Sequence, residues 1–148
     1  MKKTIFLITC LFISASTFFG FNEQVHAATY SGWQHPDNMA KSCKVRIITD
    51  ASTYTAKATS VDAKIEQNGK CGDIYYKMYL SYKNGVFIGI GDEQTGSFKS
   101  STPWKSISLK GTSFATQTTS VHVLVSKKKN SGYSKQPVYS KNIKLYAR

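Results

Sequence analysis

Acidic residues are scarce in this chain, and after Glu93 there are none. The 148 residues include 20 lysines and arginines but only 8 aspartates and glutamates, which gives a formal net charge of +12 at pH 7. Arginine is nearly absent as well, since only Arg46 and Arg148 accompany the lysines. A lysine ammonium is a point charge rather than a bidentate fork. The composition therefore favours diffuse recognition of anions over geometrically specific recognition.

The groups that usually carry catalysis are also few. Beyond residue 27 the only histidines are His35 and His122, and His122 stands between valines in a predicted strand, which favours a hydrogen-bonded structural role. Asp92 and Glu93 are adjacent, and adjacent strand residues point to opposite faces, so this pair predicts a polar turn. The sequence therefore predicts no enzyme, no metal ion and no cofactor. A small secreted hydrolase such as a ribonuclease, which needs two histidines and a lysine, stays open as an alternative.

Only one long apolar run is present, and it lies at the N-terminus. Lys2 and Lys3 precede the run, which spans residues 4–21. Val25 and Ala27 then supply small residues at the −3 and −1 positions of a cleavage site. This layout of a positive end, an apolar run and a cleavage site predicts a secretory signal peptide that ends at Ala27.

A membrane anchor is the alternative for this run, because its 18 residues approach the ~20 needed to span a bilayer. Polar residues rather than a basic stop-transfer cluster follow the run, which favours cleavage. We therefore expect residues 1–27 to be removed. Residues 28–148 are expected to form a single secreted, extracellular domain that begins with an irregular arm over residues 28–42.

Cysteine is nearly absent from the predicted mature domain, which holds Cys43 and Cys71 alone. An even number of cysteines in an exported chain predicts a disulfide, here between Cys43 and Cys71. Two isolated cysteines with no further ligand at suitable spacing make a poor metal site. Closing a loop of about 29 residues should stabilise the fold by roughly 3–4 kcal/mol in the chain-entropy description.

Helical periodicity is missing from the domain, and a period of two takes its place. Val61, Ala63 and Ile65 alternate with charged residues, as the apolar residues of half-buried strands do. Strands are predicted over residues 44–49, 61–67, 72–82, 86–90, 104–109, 118–126 and 138–146. This pattern predicts an all-β fold with little helix, in which an antiparallel two-layer β-sandwich is the first choice and a small barrel the second.

Two Asn-Gly dipeptides, Asn68-Gly69 and Asn84-Gly85, separate consecutive predicted strands. Asn-Gly between extended runs favours the type I′ turn of a β-hairpin. The strand at residues 72–82 would then have a hairpin partner on each side, with no place beside it for the strand that begins at the first cysteine. The disulfide would therefore cross between two sheets or form beyond the strand ends, which favours two layers.

The cations of the acid-free half are densest in one short segment, which we expect at the exposed tip of the last hairpin. The candidate binding residues there are Lys127, Lys128, Lys129, Tyr133 and Lys135. Such asymmetry of charge indicates an anionic partner. The first hypothesis is thus a secreted, non-enzymatic binding module for an anionic cell-surface or extracellular polymer, with an anionic membrane surface as another possible partner. The alternative for the cluster is a solvated face that only keeps the protein soluble.

Aromatic and hydroxyl-rich strands add two further possibilities. Tyr75, Tyr79 and Phe87 are expected on one outward face, where they would stack on sugar rings or bases, or else pack structurally. Residues 112–125 are rich in Ser and Thr and partly alternating, as an amphipathic hairpin inserting into a bilayer is. A membrane-active toxin or antimicrobial protein is therefore the second functional hypothesis.

Overall fold

The structure is a computed structural model, and it describes residues 27–82 and 90–148. The predicted signal peptide lies outside these residues except for Ala27, and so do the second Asn-Gly turn and Phe87. Regular structure in the described ranges consists of ten strands. Their bounds are Thr29–Tyr30 (β1), Val45–Thr49 (β2), Thr53–Tyr54 (β3), Ser60–Gln67 (β4), Ile74–Tyr82 (β5), Ile90–Phe98 (β6), Lys105–Ser108 (β7), Gln117–Ser126 (β8), Val138–Tyr139 (β9) and Ile143–Leu145 (β10). Among the described residues no helix is long and apolar enough to cross a membrane.

The strands form two sheets packed face to face, so the predicted β-sandwich is confirmed. The first sheet has the order β1-β2-β4-β7. The second has the order β3-β10-β8-β5-β6, and β9 pairs with β8 beside β10. All pairs are antiparallel except β3 with β10, which are parallel and were not foreseen.

The core lies between the sheets and follows the period of two. In β4 the side chains of Val61, Ala63 and Ile65 are fully buried, and their charged neighbours are half-exposed. In β5 the apolar set predicted to face inward is buried: Ile74, Tyr76, Met78 and Leu80. Valines of β8 lie opposite β5, with Val125 paired to Tyr76 and Val123 paired to Met78. Removing this apolar surface from water is the main force that holds the two sheets together.

The first Asn-Gly turn does not make a hairpin, which corrects the sequence prediction. β4 lies in the first sheet and β5 in the second, where the neighbours of β5 are β8 and β6. The reason is that Asn68 binds the chain before β2 instead: its amide donates to the Ser42 carbonyl at 2.8 Å, and its side-chain oxygen accepts from the Lys44 amide at 3.1 Å. Gly69 and Gly72, with φ of 82° and 66°, then let the chain cross to the other sheet.

The disulfide between Cys43 and Cys71 is confirmed, with a Cα–Cα distance of 4.7 Å. Cys43 lies just before β2 and Cys71 just before β5, so the bridge joins the two sheets beyond the ends of their strands. The prediction of two layers was right, although the hairpin on which it partly rested was wrong. Both cysteines are buried and belong to the core.

Asp92 and Glu93 lie inside β6 rather than in a turn, which corrects a second prediction. The pairing of β5 with β6 shifts register between Met78 and Leu80, so this part of β6 is a bulge. Gly91 has a φ of 77°, and a Cβ there would collide with the carbonyl of Ser108 in β7. Glycine at this position thus allows β6 to approach the edge of the first sheet.

Three segments differ from their predicted forms. The last predicted strand is divided into β9 and β10, and residues 140–142 between them belong to neither strand, although Ser140 still bonds to Val121 of β8. The arm at 28–42 is irregular as predicted, but it contributes β1, and Gln34 forms a bridge with Val45. Within residues 112–125 there is one strand, β8, at the centre of the second sheet, and not an amphipathic hairpin.

Candidate functional site: the lysine loop and its groove

The predicted lysine cluster lies on the segment between β8 and β9, residues 127–137, which we call the lysine loop. Its four lysines, Lys127, Lys128, Lys129 and Lys135, are exposed. The described residues hold three ion pairs, and none of them involves a lysine of this loop. The loop therefore presents several positive charges that no carboxylate in the described part of the chain neutralises at contact distance.

Serine side chains and backbone bonds fix the shape of the lysine loop. The Ser134 amide donates to the Val125 carbonyl at 2.8 Å, and the Val125 amide donates to the Ser134 hydroxyl at 3.2 Å. Ser126 caps the turn, because its hydroxyl accepts from the Lys128 amide at 2.9 Å and donates to the Ser131 carbonyl. The lysines are thus carried by an ordered turn.

Residues of the N-terminal arm form hydrogen bonds to the backbone of the lysine loop, which the sequence did not predict. The Asp37 carboxylate accepts hydrogen bonds from the backbone amides of Lys135 at 3.1 Å and Gln136 at 3.2 Å. The Asn38 amide donates to the carbonyls of Val125 and Gly132, both at 2.8 Å. Asp37 is an acidic residue next to the lysines, but its carboxylate oxygens accept hydrogen bonds from backbone amides of the loop rather than from lysine ammonium groups. These contacts join residues that are 87 to 99 positions apart in the chain, which no local pattern predicts.

Lys127 differs from the other three lysines of the loop. Its ammonium donates a hydrogen bond to the carbonyl of Cys71, next to the disulfide. One of the predicted binding lysines therefore also ties the lysine loop to the crossing between β4 and β5. Lys128, Lys129 and Lys135 make no side-chain hydrogen bond to the described residues, so their ammonium groups are available to a ligand.

A groove of about 410 Å³ opens beside the lysine loop, on the outer side of β5 and β6. We call it the loop groove, and it is lined by Tyr75, Thr95, Gly96, Ser97, Lys129, Asn130 and Tyr133. Of the predicted cluster, the structure brings Lys129 and Tyr133 together here and adds Tyr75 from the predicted aromatic face. Lys127, Lys128 and Lys135 do not line it. Sequence reasoning placed Asn130 in the same segment but not among the binding residues. It missed the hydroxyls of β6, because β6 was not predicted as a strand.

The outer face of the second sheet also carries a row of three rings. The ring centroids of Tyr79 and His122 are 5.6 Å apart, and those of His122 and Tyr139 are 4.7 Å apart. Tyr79 is only 6% exposed, so the predicted outward tyrosine is packed against neighbours rather than open to a ligand. Burial lowers the pKa of His122 from 6.5 to about 4. His122 is therefore neutral at physiological pH.

Both histidines have the internal contacts expected of structural residues. The Nε2 atom of His122 lies 3.0 Å from the Ser120 hydroxyl, and the Nδ1 atom of His35 lies 3.1 Å from the Cys43 carbonyl. The described residues contain no group of three His, Cys, Asp or Glu side chains able to hold a metal ion. What the lysine loop and its groove offer is binding chemistry: ammonium groups, hydroxyls, an amide and two aromatic rings.

Comparison with known proteins places this domain in a family. Residues 26–146 match the family described as the YqgA MG2 macroglobulin domain. The chain is 44% identical over 108 residues to the cell wall-binding protein YqgA of Bacillus subtilis (strain 168), and the match covers 70% of each chain. No solved structure matches the chain. Since the match spans the whole described sandwich up to residue 146, this chain belongs to the YqgA MG2 macroglobulin domain family.

Proposed function

We propose that this protein is a non-enzymatic cell-wall-binding module that acts at the cell surface or outside the cell. The support is its 44% identity to a relative whose name is cell wall-binding protein, together with membership of a macroglobulin-domain family. The contacts of His35 and His122 agree with this proposal, because each ring is engaged by groups of the fold. An enzyme would need an acid or base free to reach a substrate.

The wall component that it binds is an anionic polymer, and the binding surface is the lysine loop with Lys127, Lys128, Lys129, Tyr133 and Lys135. The observation that carries this proposal is that all four lysines are exposed and outside the ion pairs of the described residues. A fixed turn with free ammonium groups attracts a polyanion and releases its counterions, as in other polyelectrolyte complexes. Affinity should therefore fall steeply as salt rises, since screening acts within about 8 Å at physiological ionic strength.

The test compares wall binding by two variants. One loses three positive charges from the lysine loop, and the other loses three positive charges elsewhere on the surface. In the loop variant, Lys127, Lys128 and Lys129 are changed to Gln. In the control, the exposed Lys57, Lys110 and Lys141 are changed to Gln, so both variants lose three positive charges. Sedimentation with purified walls at low salt should show affinity reduced about 10-fold or more for the loop variant and under about 3-fold for the control.

Substitution of Lys127 also removes its hydrogen bond to the Cys71 carbonyl, so the triple variant loses a contact within the fold as well as the charge. A double variant, Lys128→Gln with Lys129→Gln, keeps that bond and should retain the thermal stability of the parent while still losing wall affinity. Equal loss in loop and control variants would show that only net charge matters. A parent that shows no salt-sensitive binding to walls would refute the proposal, and dye release from anionic vesicles would favour the membrane-active alternative instead.

Export is part of the same proposal, because a wall ligand is met outside the cytoplasm. The signal peptide is proposed to be cleaved after Ala27, which leaves Ala28 as the first residue of the mature protein. N-terminal sequencing of culture supernatant and membrane fractions tests this. Retention of the whole chain in the membrane fraction would favour an anchor.

A further inference from the structure

We propose that the loop groove is a binding site for one phosphate-bearing sugar or polyol unit of the wall polymer. This inference rests on the proposed cell-wall function and makes it more specific. The lysine loop as a whole would provide attraction along the polymer, and the loop groove would hold a single repeat unit.

The lining of the loop groove combines the three kinds of group that bind polyhydroxylated anions. Tyr75 and Tyr133 offer ring faces, which pack on the apolar face of a sugar or polyol chain. Thr95, Ser97 and Asn130 offer hydroxyl and amide groups that both donate and accept hydrogen bonds. The described residues that line the groove include no carboxylate, which favours an anionic ligand over a cationic one.

Among the described residues that line the loop groove, the cation is Lys129. A further lysine, Lys77, has its ammonium 5.4 Å from the centroid of the Tyr133 ring. Lys77 is also paired with Glu93 at 3.3 Å, so its charge is already partly balanced, and its role is to hold the Tyr133 ring. Lys129 makes no ion pair among the described residues, which leaves it to meet the charged group of a ligand.

Phosphate suits this site better than carboxylate does. A carboxylate is best matched by the planar fork of arginine, whereas lysine binds phosphate as a point charge. Both arginines of the chain are engaged elsewhere: Arg46 pairs with Glu66 at 2.7 Å, and Arg148 donates to the Ala58 carbonyl at 2.7 Å. The loop groove therefore has a lysine with neutral hydrogen-bonding groups, which is the chemistry of a phosphate site.

The size of the loop groove fits a repeat unit rather than a long chain. Its volume of about 410 Å³ lies within the range of sites for small molecules. Lys128 and Lys135 are exposed on the same loop but do not line the groove, which leaves them to meet neighbouring units of a longer polymer. A short fragment should therefore occupy the loop groove without the rest of the polymer.

The experiment measures binding of short and long probes to the full mature protein. The short probe is a glycerol phosphate oligomer of a few units, and the long probe is poly(glycerol phosphate). Neutral glycerol and a short galacturonate oligomer, which carries carboxylates, serve as chemical comparisons. The variants are Tyr133→Leu, which keeps bulk but removes the ring, and Lys129→Gln. The matched controls are Tyr146→Leu, a tyrosine 41% exposed with Lys144 at 4.7 Å from its ring, and Lys110→Gln.

We expect the short phosphate probe to bind, with NMR shifts at Tyr75 and Tyr133, and to bind more tightly than the galacturonate oligomer. Each groove variant should weaken this binding about 5-fold, and each control less than about 2-fold. If the triple lysine variant loses wall binding but the groove variants bind the short probe like the parent, the loop groove assignment is wrong and the proposed function stands. If galacturonate binds as well as the phosphate probe, the phosphate assignment is overturned. If walls do not bind the parent at all, the proposed function fails first.

Discussion

The outer face of the first sheet and the lysine loop beside the second sheet use their charges in opposite ways. On the first sheet, Glu66 accepts from Arg46 at 2.7 Å and lies 3.0 Å from Lys64, so one carboxylate serves two cations. The rings of Tyr30 and Trp33 flank the same arginine, at 5.2 Å and 4.6 Å from its guanidinium carbon. Arg46 and Lys64 on the first face are thus already engaged by groups of the folded protein.

Beside the second sheet, the lysine loop has cations without carboxylate partners among the described residues, and Asp37, which contacts the loop, binds its backbone amides. The two regions therefore differ in whether an acidic side chain pairs with the cations described here. A count of lysines cannot distinguish a solvated face from a binding surface. The ion pairs of the folded protein can, because a paired charge has already lost much of its attraction for a ligand.

Opening the disulfide should have the largest effect, because it joins the two sheets whose faces differ. Replacing Cys43 and Cys71 together by Ser is expected to lower the free energy of unfolding by about 3–4 kcal/mol. Urea unfolding followed by fluorescence measures this. The variant should also bind walls less well, since the Cys71 carbonyl accepts from Lys127.

The control for this prediction is the reduced parent protein, which should lose the same stability without any substitution. A loss below about 1 kcal/mol in both proteins would show that the two sheets hold together without the bridge.

Mild acid should lower the stability of the folded protein through His122, which lies on the outer face of the second sheet. Its folded pKa of about 4 lies below the ordinary 6.5, so the unfolded chain binds the proton more readily and stability falls as pH drops below 6.5. Because the ring is only partly buried, we expect a loss of about 1 kcal/mol between pH 6.5 and 5. Thermal unfolding across this range measures it.

His122→Gln should remove most of this pH dependence and leave wall binding at pH 7 within a few-fold of the parent, as should His35→Gln. A loss of about 100-fold or more in the biological activity from either change would instead support the enzyme alternative.

The smallest effect is expected on the first face, from Glu66→Gln. Burial alone would raise the pKa of Glu66, but hydrogen bonds and charge from Arg46 and Lys64 outweigh it and hold the pKa below 4.5. The variant should lose about 0.5 kcal/mol of stability, because the pairs are near the surface. It also frees two cations, so its affinity for a polyanion at low salt should rise about 2-fold. Unchanged low-salt affinity would show that the pairs do not limit ligand binding on this face.

In the parent protein, the contribution of Glu66 to folding stability is present above pH 4.5 and is lost as pH falls through the lowered pKa.

The strands of the core were predictable because burial on one side leaves a period of two in the sequence. Five predicted strands match observed strands to within two residues at each end: 44–49, 61–67, 72–82, 104–109 and 118–126. β6 was missed, since Gly91, Asp92, Glu93 and Gly96 are poor strand formers at an edge. The very short strands β1 and β3 carry too few residues for any period.

The candidate site was predictable only in part. Charge asymmetry identifies the lysine loop, but nothing local indicates that Asp37 and Asn38 fasten it, or that Lys127 turns inward to Cys71. Likewise Tyr75 and Tyr133 are 58 positions apart, and their meeting in the loop groove depends on how β8 packs beside β5.

The amino-acid sequence alone determined the class of fold, the disulfide and the acid-free half, because alternation, cysteine number and charge are properties of residue order. The tertiary structure decided which strands became neighbours and which charges remained free. Asn68 illustrates the difference: a dipeptide typical of hairpins instead binds Ser42 and Lys44 and sends the chain to the other sheet. Bonds between residues distant in sequence outweigh a local turn preference, which is worth far less than the burial of a whole strand.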